Sequence, residues 1–126
     1  MVVRENMTNL TIYNKANALL ETFNHLEDMT LPVKVHFYLQ KNMELIVSMA
    51  RDLEKKRIDI IEKYNISEAK QDSEEFERAN QDIEELFSLE QEVKIYKLPL
   101  DWLENIELTS KQVQAFSFML ECEEEV

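Results

Sequence analysis

The sequence predicts a mainly α-helical fold: an antiparallel helical hairpin with one long helix, two further helices and a small two-stranded β-sheet. Three observations predict it. The chain contains no glycine at all, and between Pro32 and Pro99 no proline. From Leu31 to Tyr64 apolar side chains recur at Val35, Leu39, Ile46, Met49, Leu53 and Ile60, the three-, four- and seven-residue spacing of one helix face. At Glu92–Leu98 the period changes to strict alternation, Val93 and Ile95 against Lys94 and Tyr96, which is the pattern of a strand.

Taken in order, residues 1–8 read as an N-terminal arm. Leu10-Thr11-Ile12-Tyr13, rich in β-branched and aromatic residues, reads as a brief strand. Asn14 suits the cap of a first helix from Lys15 to about Asp28, with Ala16, Leu19, Leu20, Phe23 and Leu26 as its apolar stripe. Met29-Thr30-Leu31 is the turn, capped by Thr30 or Leu31, and so short a link favours antiparallel packing. Pro32 suits the first position of the long helix, whose length would be on the order of 50 Å. Asp52 with Lys56 and Asp59 with Lys63 stand four apart, acid first, and support a charged half that projects from the core. Asn65 is a left-handed C-terminal residue, with Ile66 folding back.

Residues 66–73 read as a polar loop. Asp72 with Glu75 forms a capping box for a helix from Ser73 to about Glu90, burying Phe76, Ala79, Ile83, Leu86 and Phe87. The strand at 92–98 has the 10–13 segment as its evident partner, and two strands need helices to pack on. Pro99 ends it, and Asp101 to Asn105 forms a single turn that seats Trp102. Thr109-Ser110-Lys111-Gln112 is a capping box for a last helix carrying Val113, Phe116, Met119 and Leu120 on one side. Glu121 to Val126 is an acidic tail. One domain, residues 1–126, accounts for the whole chain.

Composition narrows the function classes. Without glycine, a phosphate-cradling loop, a dinucleotide fingerprint and a nucleophile elbow are all excluded. The net charge of −12 is concentrated: residues 65–92 hold ten acids and two bases, and residues 121–126 hold four glutamates and no base. No basic footprint for nucleic acid is visible, and direct nucleic-acid binding is not expected. No apolar run is long enough to span a membrane, and the first residues lack a secretory pattern. The single cysteine, Cys122, fits a reducing compartment.

Candidate sites are few. His25 and His36 could be brought together by the hairpin, with Glu21, Glu27 or Asp28 completing a metal site, but ordinary boundary histidines are the stronger reading. Cys122 sits among Glu121, Glu123, Glu124 and Glu125, which oppose thiolate formation. Neither an enzyme nor a cofactor or metal is therefore expected. Partner contacts are expected at Arg51, Lys55 and Arg57 on the projecting end of the long helix, and at Trp102, an apolar anchor if it is not a core plug. Glu74, Glu77 and Glu84 would carry an acidic surface able to mimic a phosphate backbone, with a merely solvated helix face as the plainer account. Self-association through the long helix stays open, although Asn42 and Lys56 interrupt a strict heptad seam.

The segments LTIYNKANALLETF, LPVKVHFYLQKNMELI, RDLEKKRIDIIEKY and EVKIYKLPLDWLENIELTSKQVQAFSFML, in that order from Leu10 to Leu120, resemble a family of small proteins of unknown function from tailed bacteriophages and prophages. The resemblance implies a bacterial-cytoplasmic or virion setting and a non-enzymatic role, and it brings no catalytic residues. The expected function is a protein–protein interaction module, a structural or accessory virion component or an assembly factor. The alternative is an acidic anti-defence inhibitor of a host nucleic-acid enzyme.

Overall fold

The computed structural model describes residues 2–26, 30–65 and 73–121. Strand β1 (Val2–Thr8) leads into helix α1 (Asn9–Leu26), then come the long helix α2 (Val33–Lys63), α3 (Glu74–Ser88), strand β2 (Glu90–Tyr96) and α4 (Ser110–Phe116). A tight 3₁₀ turn at Leu100–Leu103 precedes α4, and another at Ser117–Met119 follows it. The fold is the predicted mainly α architecture around one long helix, with a two-stranded antiparallel sheet.

The sheet is built from a different first strand than expected. Residues 10–13 are helical, and β1 instead uses the segment read as an arm, with Val3 opposite Ile95 and Glu5 opposite Val93. The cause is Thr8. Its hydroxyl accepts the Thr11 backbone N–H at 3.1 Å, so Thr8 rather than Asn14 caps α1. Ile12, Ala16 and Leu19 then fall on one buried face, and that helical spacing overrides the β propensity of Thr11, Ile12 and Tyr13.

Helix α2 begins one residue later than expected. Pro32 is extended, its carbonyl accepts the first helical N–H from His36 at 3.0 Å, and neither Thr30 nor Leu31 caps the helix. Its buried stripe is Val35, Leu39, Asn42, Ile46, Ala50 and Leu53. Asn65 ends it with φ of 51°, the left-handed conformation asparagine tolerates. The far half is not a bare projection: the Tyr64 hydroxyl donates to Asp82 of α3 at 2.8 Å. Among the described residues, the ion pair on this segment joins Arg57 to Glu54, in place of the two expected pairs.

Helix α3 is capped by Ser73, whose hydroxyl accepts from the Phe76 N–H, and it stops at Ser88; Asp72 and Ile66 lie outside the described residues. The Thr109–Gln112 capping box is present with both reciprocal bonds. Helix α4 is short, however, and leaves Val113 exposed. The chain turns after it so that Met119 is fully buried and Leu120 pairs in parallel with Leu98.

Two buried asparagines join these layers. Asn42 donates from Nδ2 to the Tyr96 carbonyl at 2.8 Å and accepts the Tyr96 N–H at 2.7 Å. Asn9 donates to the Leu86 carbonyl at 2.8 Å, accepts from Gln91 at 2.7 Å, and sends its backbone N–H to the Leu89 carbonyl at 2.8 Å. Replacing Asn42 by alanine leaves the partly buried N–H and C=O of Tyr96 without these partners. The expected loss is about 3 kcal/mol of unfolding free energy by urea titration, and an equally large loss is expected for Asn42→Leu, which restores volume but not hydrogen bonds.

Candidate functional site

The residues predicted to make contacts fall into three separate places. Arg51 and Lys55 are exposed on the outer side of α2. Arg57 is turned the other way: its guanidinium holds the Glu54 carboxylate, and the second Glu54 oxygen accepts the Tyr13 hydroxyl at 2.8 Å. This triad ties the second turn of α1 to the far half of α2, which fixes the two helices antiparallel. The Arg57 bond, and after it the Tyr13 bond, hold the Glu54 carboxyl below the ordinary carboxylate range. Hydrogen bonding to Glu54, followed by burial, raises the Tyr13 phenol.

Trp102 is half-buried rather than a free anchor. Its ring meets Tyr38 edge-on at 5.1 Å, and Tyr38 in turn meets Tyr96 at 5.4 Å. The Lys34 ammonium lies 4.5 Å above the indole. These contacts seat the 3₁₀ turn on the first turns of α2, so Trp102 acts chiefly as a plug.

The acidic residues are on α3 as expected, with Glu74, Glu77 and Glu84 all exposed. Glu74 pairs with Arg78 at 2.6 Å. Glu74, Glu75 and Glu77 occupy the first helical turn, where negative charge is favoured by the exposed N–H groups of the helix end. Part of the acidity thus has a local structural cause.

The candidate histidine pair lies partly outside the described residues. His36 is exposed, while the His25 side chain, Glu27 and Asp28, like Cys122 and the rest of the tail after Glu121, lie outside the described residues. Among the described residues no three histidine, cysteine or acidic side chains converge as metal ligands. A cationic corner forms where Lys97 bonds Glu5 at 3.0 Å and the Phe118 carbonyl at 2.7 Å. Beside it, burial lowers the pKa of Lys15, whose ammonium lies over the Phe118 ring. Every bond in that corner holds β1, α1 and the C-terminal segment together. An open cleft bounded by Glu21, Thr22, Asn105, Glu107 and Lys111 adjoins Thr30.

The most unusual surface is one that sequence reasoning passed over. Large apolar side chains stand in water on the outer sides of the hairpin: Val33 is 87% exposed, Phe37 50%, Leu20 46% and Ile58 42%. On α2, Val33, Phe37 and Ile58 share a face with Glu44 and Arg51, opposite the buried stripe. The signal was present in the sequence as apolar residues out of phase with the stripe. Leu20, Val47 and Met43 line a shallow groove beside that face, between Gln40, Glu44 and Arg51.

Comparison with family models, with curated proteins and with solved structures finds no significant match for this chain. Among the described residues no helix is long and apolar enough to cross a membrane.

The Glu54 triad has a pH signature. A carboxyl whose pKa is depressed by folding contributes stability above its unfolded value, and that contribution is lost as pH falls through the folded value. Glu54→Gln should therefore lower the urea midpoint near pH 7 and make progressively less difference below about pH 4.3, the ordinary glutamate value. A difference between wild type and variant that stays constant down to the acid limit contradicts the assignment.

Proposed function

We propose that this chain is a non-enzymatic, phage-encoded protein–protein interaction module, acting as a structural or accessory virion component or as an assembly factor. The observation that carries the reading is the exposed apolar series Val33, Phe37 and Ile58 on a well-packed helix, with Leu20 beside it. Burying such side chains against another protein is favourable by about 25 cal/mol per Å² removed from water, and Val33 and Phe37 adjoin one turn apart on the exposed face. The core beneath it is rigidly specified: among the described residues no buried side-chain nitrogen or oxygen lacks a hydrogen-bond partner. A rigid face offers contacts at low ordering cost. The phage setting rests on the resemblance of the segments quoted above.

A second reading has its own observation. Glu74, Glu75, Glu77, Glu84 and Glu85 are exposed along α3, with Arg78 the one base within that helix. Such a row suits occupation of a basic nucleic-acid groove on a host enzyme.

Salt separates the two. The tagged full chain is used to capture partners from phage-infected cells and, separately, from purified virions. Under the first reading a capsid or tail protein is retained through a wash at about 1 M salt, where the screening length is about 3 Å. Neutralising Glu74, Glu77 and Glu84 to glutamine should then leave capture unchanged. A host nucleic-acid enzyme that elutes with salt and is lost in the triple variant overturns the first reading in favour of the second.

A further inference from the structure

We propose that the outer face of α2 binds a second copy of this chain, forming a two-fold symmetric dimer in which the two α2 helices pack antiparallel and cross near Val47 and Ser48. This deepens the interaction-module reading, on which it rests, by naming one partner.

The argument comes from register. In an antiparallel pair related by a two-fold axis, each residue faces the residue whose number makes a constant sum with its own, and every contact occurs twice. With the axis between Val47 and Ser48, Glu44 faces Arg51 of the other copy, and Lys55 lies one turn further on. Phe37 faces Ile58, so two of the large exposed apolar side chains of α2 meet each other. Gln40 faces Lys55, and Ser48, small and exposed, lies at the crossing.

At 100° per residue, Phe37, Gln40, Glu44, Ser48, Arg51, Lys55 and Ile58 fall on the side of the helix opposite Val35, Asn42, Ile46 and Leu53, and Val47, at the edge of that side, is itself buried. No internal ion pair among the described residues uses Glu44 or Arg51; Glu44 accepts a single exposed bond from Gln40 at 3.2 Å. The centre of the pairing is therefore complementary in charge, and Phe37 with Ile58 in apolar surface, while at the ends of the same register Val33 faces Glu62.

The surface relief fits as well. A shallow depression bounded by Phe37, Gln40, Lys41 and Glu44 lies where the opposing Ile58 would enter. The groove with Leu20 and Val47 along its side lies next to the crossing point. A contact strip of about 46 Å by about 10 Å would bury on the order of 900 Å² over both copies. Stable interfaces begin near about 1,000 Å², so a weak dimer that dissociates on dilution is expected.

The test is charge reversal and rescue on the full chain. Sedimentation equilibrium over a micromolar-to-millimolar range should show a reversible monomer–dimer equilibrium. Glu44→Arg and Arg51→Glu, each placing like charges across the axis, should each weaken the dimer at least about tenfold, and combining them should restore it to within about threefold of wild type. Both residues are exposed, and unchanged urea midpoints verify that the variants fold. In a Cys122→Ser background, Ser48→Cys should oxidise to a disulfide-linked dimer, since the two Ser48 positions are offset by only about 1.5 Å along the helices at the crossing. A monomer at every concentration, single reversals without effect, or a double reversal that fails to rescue overturns the proposal. A monomeric chain that still captures a virion protein through this face overturns the second copy as occupant and leaves the interaction-module reading in place.

Discussion

A sheet of two strands cannot hold itself together in water, and here the missing support comes from one side chain. The Asn42 amide faces the outer edge of β2 and offers Tyr96 the donor and acceptor that a third strand would supply. Because Asn42 is on α2, the bond fixes the strand's height and rotation on the long helix. Its Nδ2 also lies 3.3 Å from the Met119 sulfur, so the segment after α4 is gathered at the same point. Asn9 does comparable work at the opposite end of the sheet, joining the start of α1 to the end of α3. With both ends clamped, Val93, Ile95 and Leu98 lie against the helices, and each is essentially inaccessible to water.

The same residues show what was legible in the sequence. The long helix, the two later helices and the second strand were readable because each has a periodic apolar pattern and most have a capping residue. The first strand was not. Val2–Thr8 has one buried apolar side chain, Met7, and its pairing with β2 depends on partners more than eighty residues away. In the sequence Asn42 only interrupts a self-association seam, because an isolated polar residue in an apolar stripe looks the same whether it faces water, another subunit or a strand edge. Arg57 looked like a free cation for a related reason, since its partners Glu54 and Tyr13 come from two helices and only packing brings them together.

The candidate surface was hidden differently. Helical periodicity in the sequence picks out the buried side of α2, and of the residues off that stripe it singles out only the charged Arg51, Lys55 and Arg57 as contacts on a projecting end. Of that group, Arg51 and Lys55 are on the outer face, but their relation to Glu44, Phe37 and Ile58 emerges only when the rear of the helix is known to be filled. A sequence pattern identifies which side of a helix is most apolar. It does not identify a second, mixed side whose complement is itself.

Charge distribution then bears on how such a surface would work in a protein carrying −12 overall. Two copies repel at long range, and residues 65–92, with ten acids against two bases, carry most of the excess charge. The outer face of α2 is different: Lys41, Arg51 and Lys55 are interleaved there with Glu44 and Glu62. Association through this face therefore meets little local repulsion, while contacts made through α3 are disfavoured. The excess acid makes nonspecific clustering costly, and the balanced helix face leaves one orientation open. The acidity of α3 can thus contribute to specificity without contacting any partner.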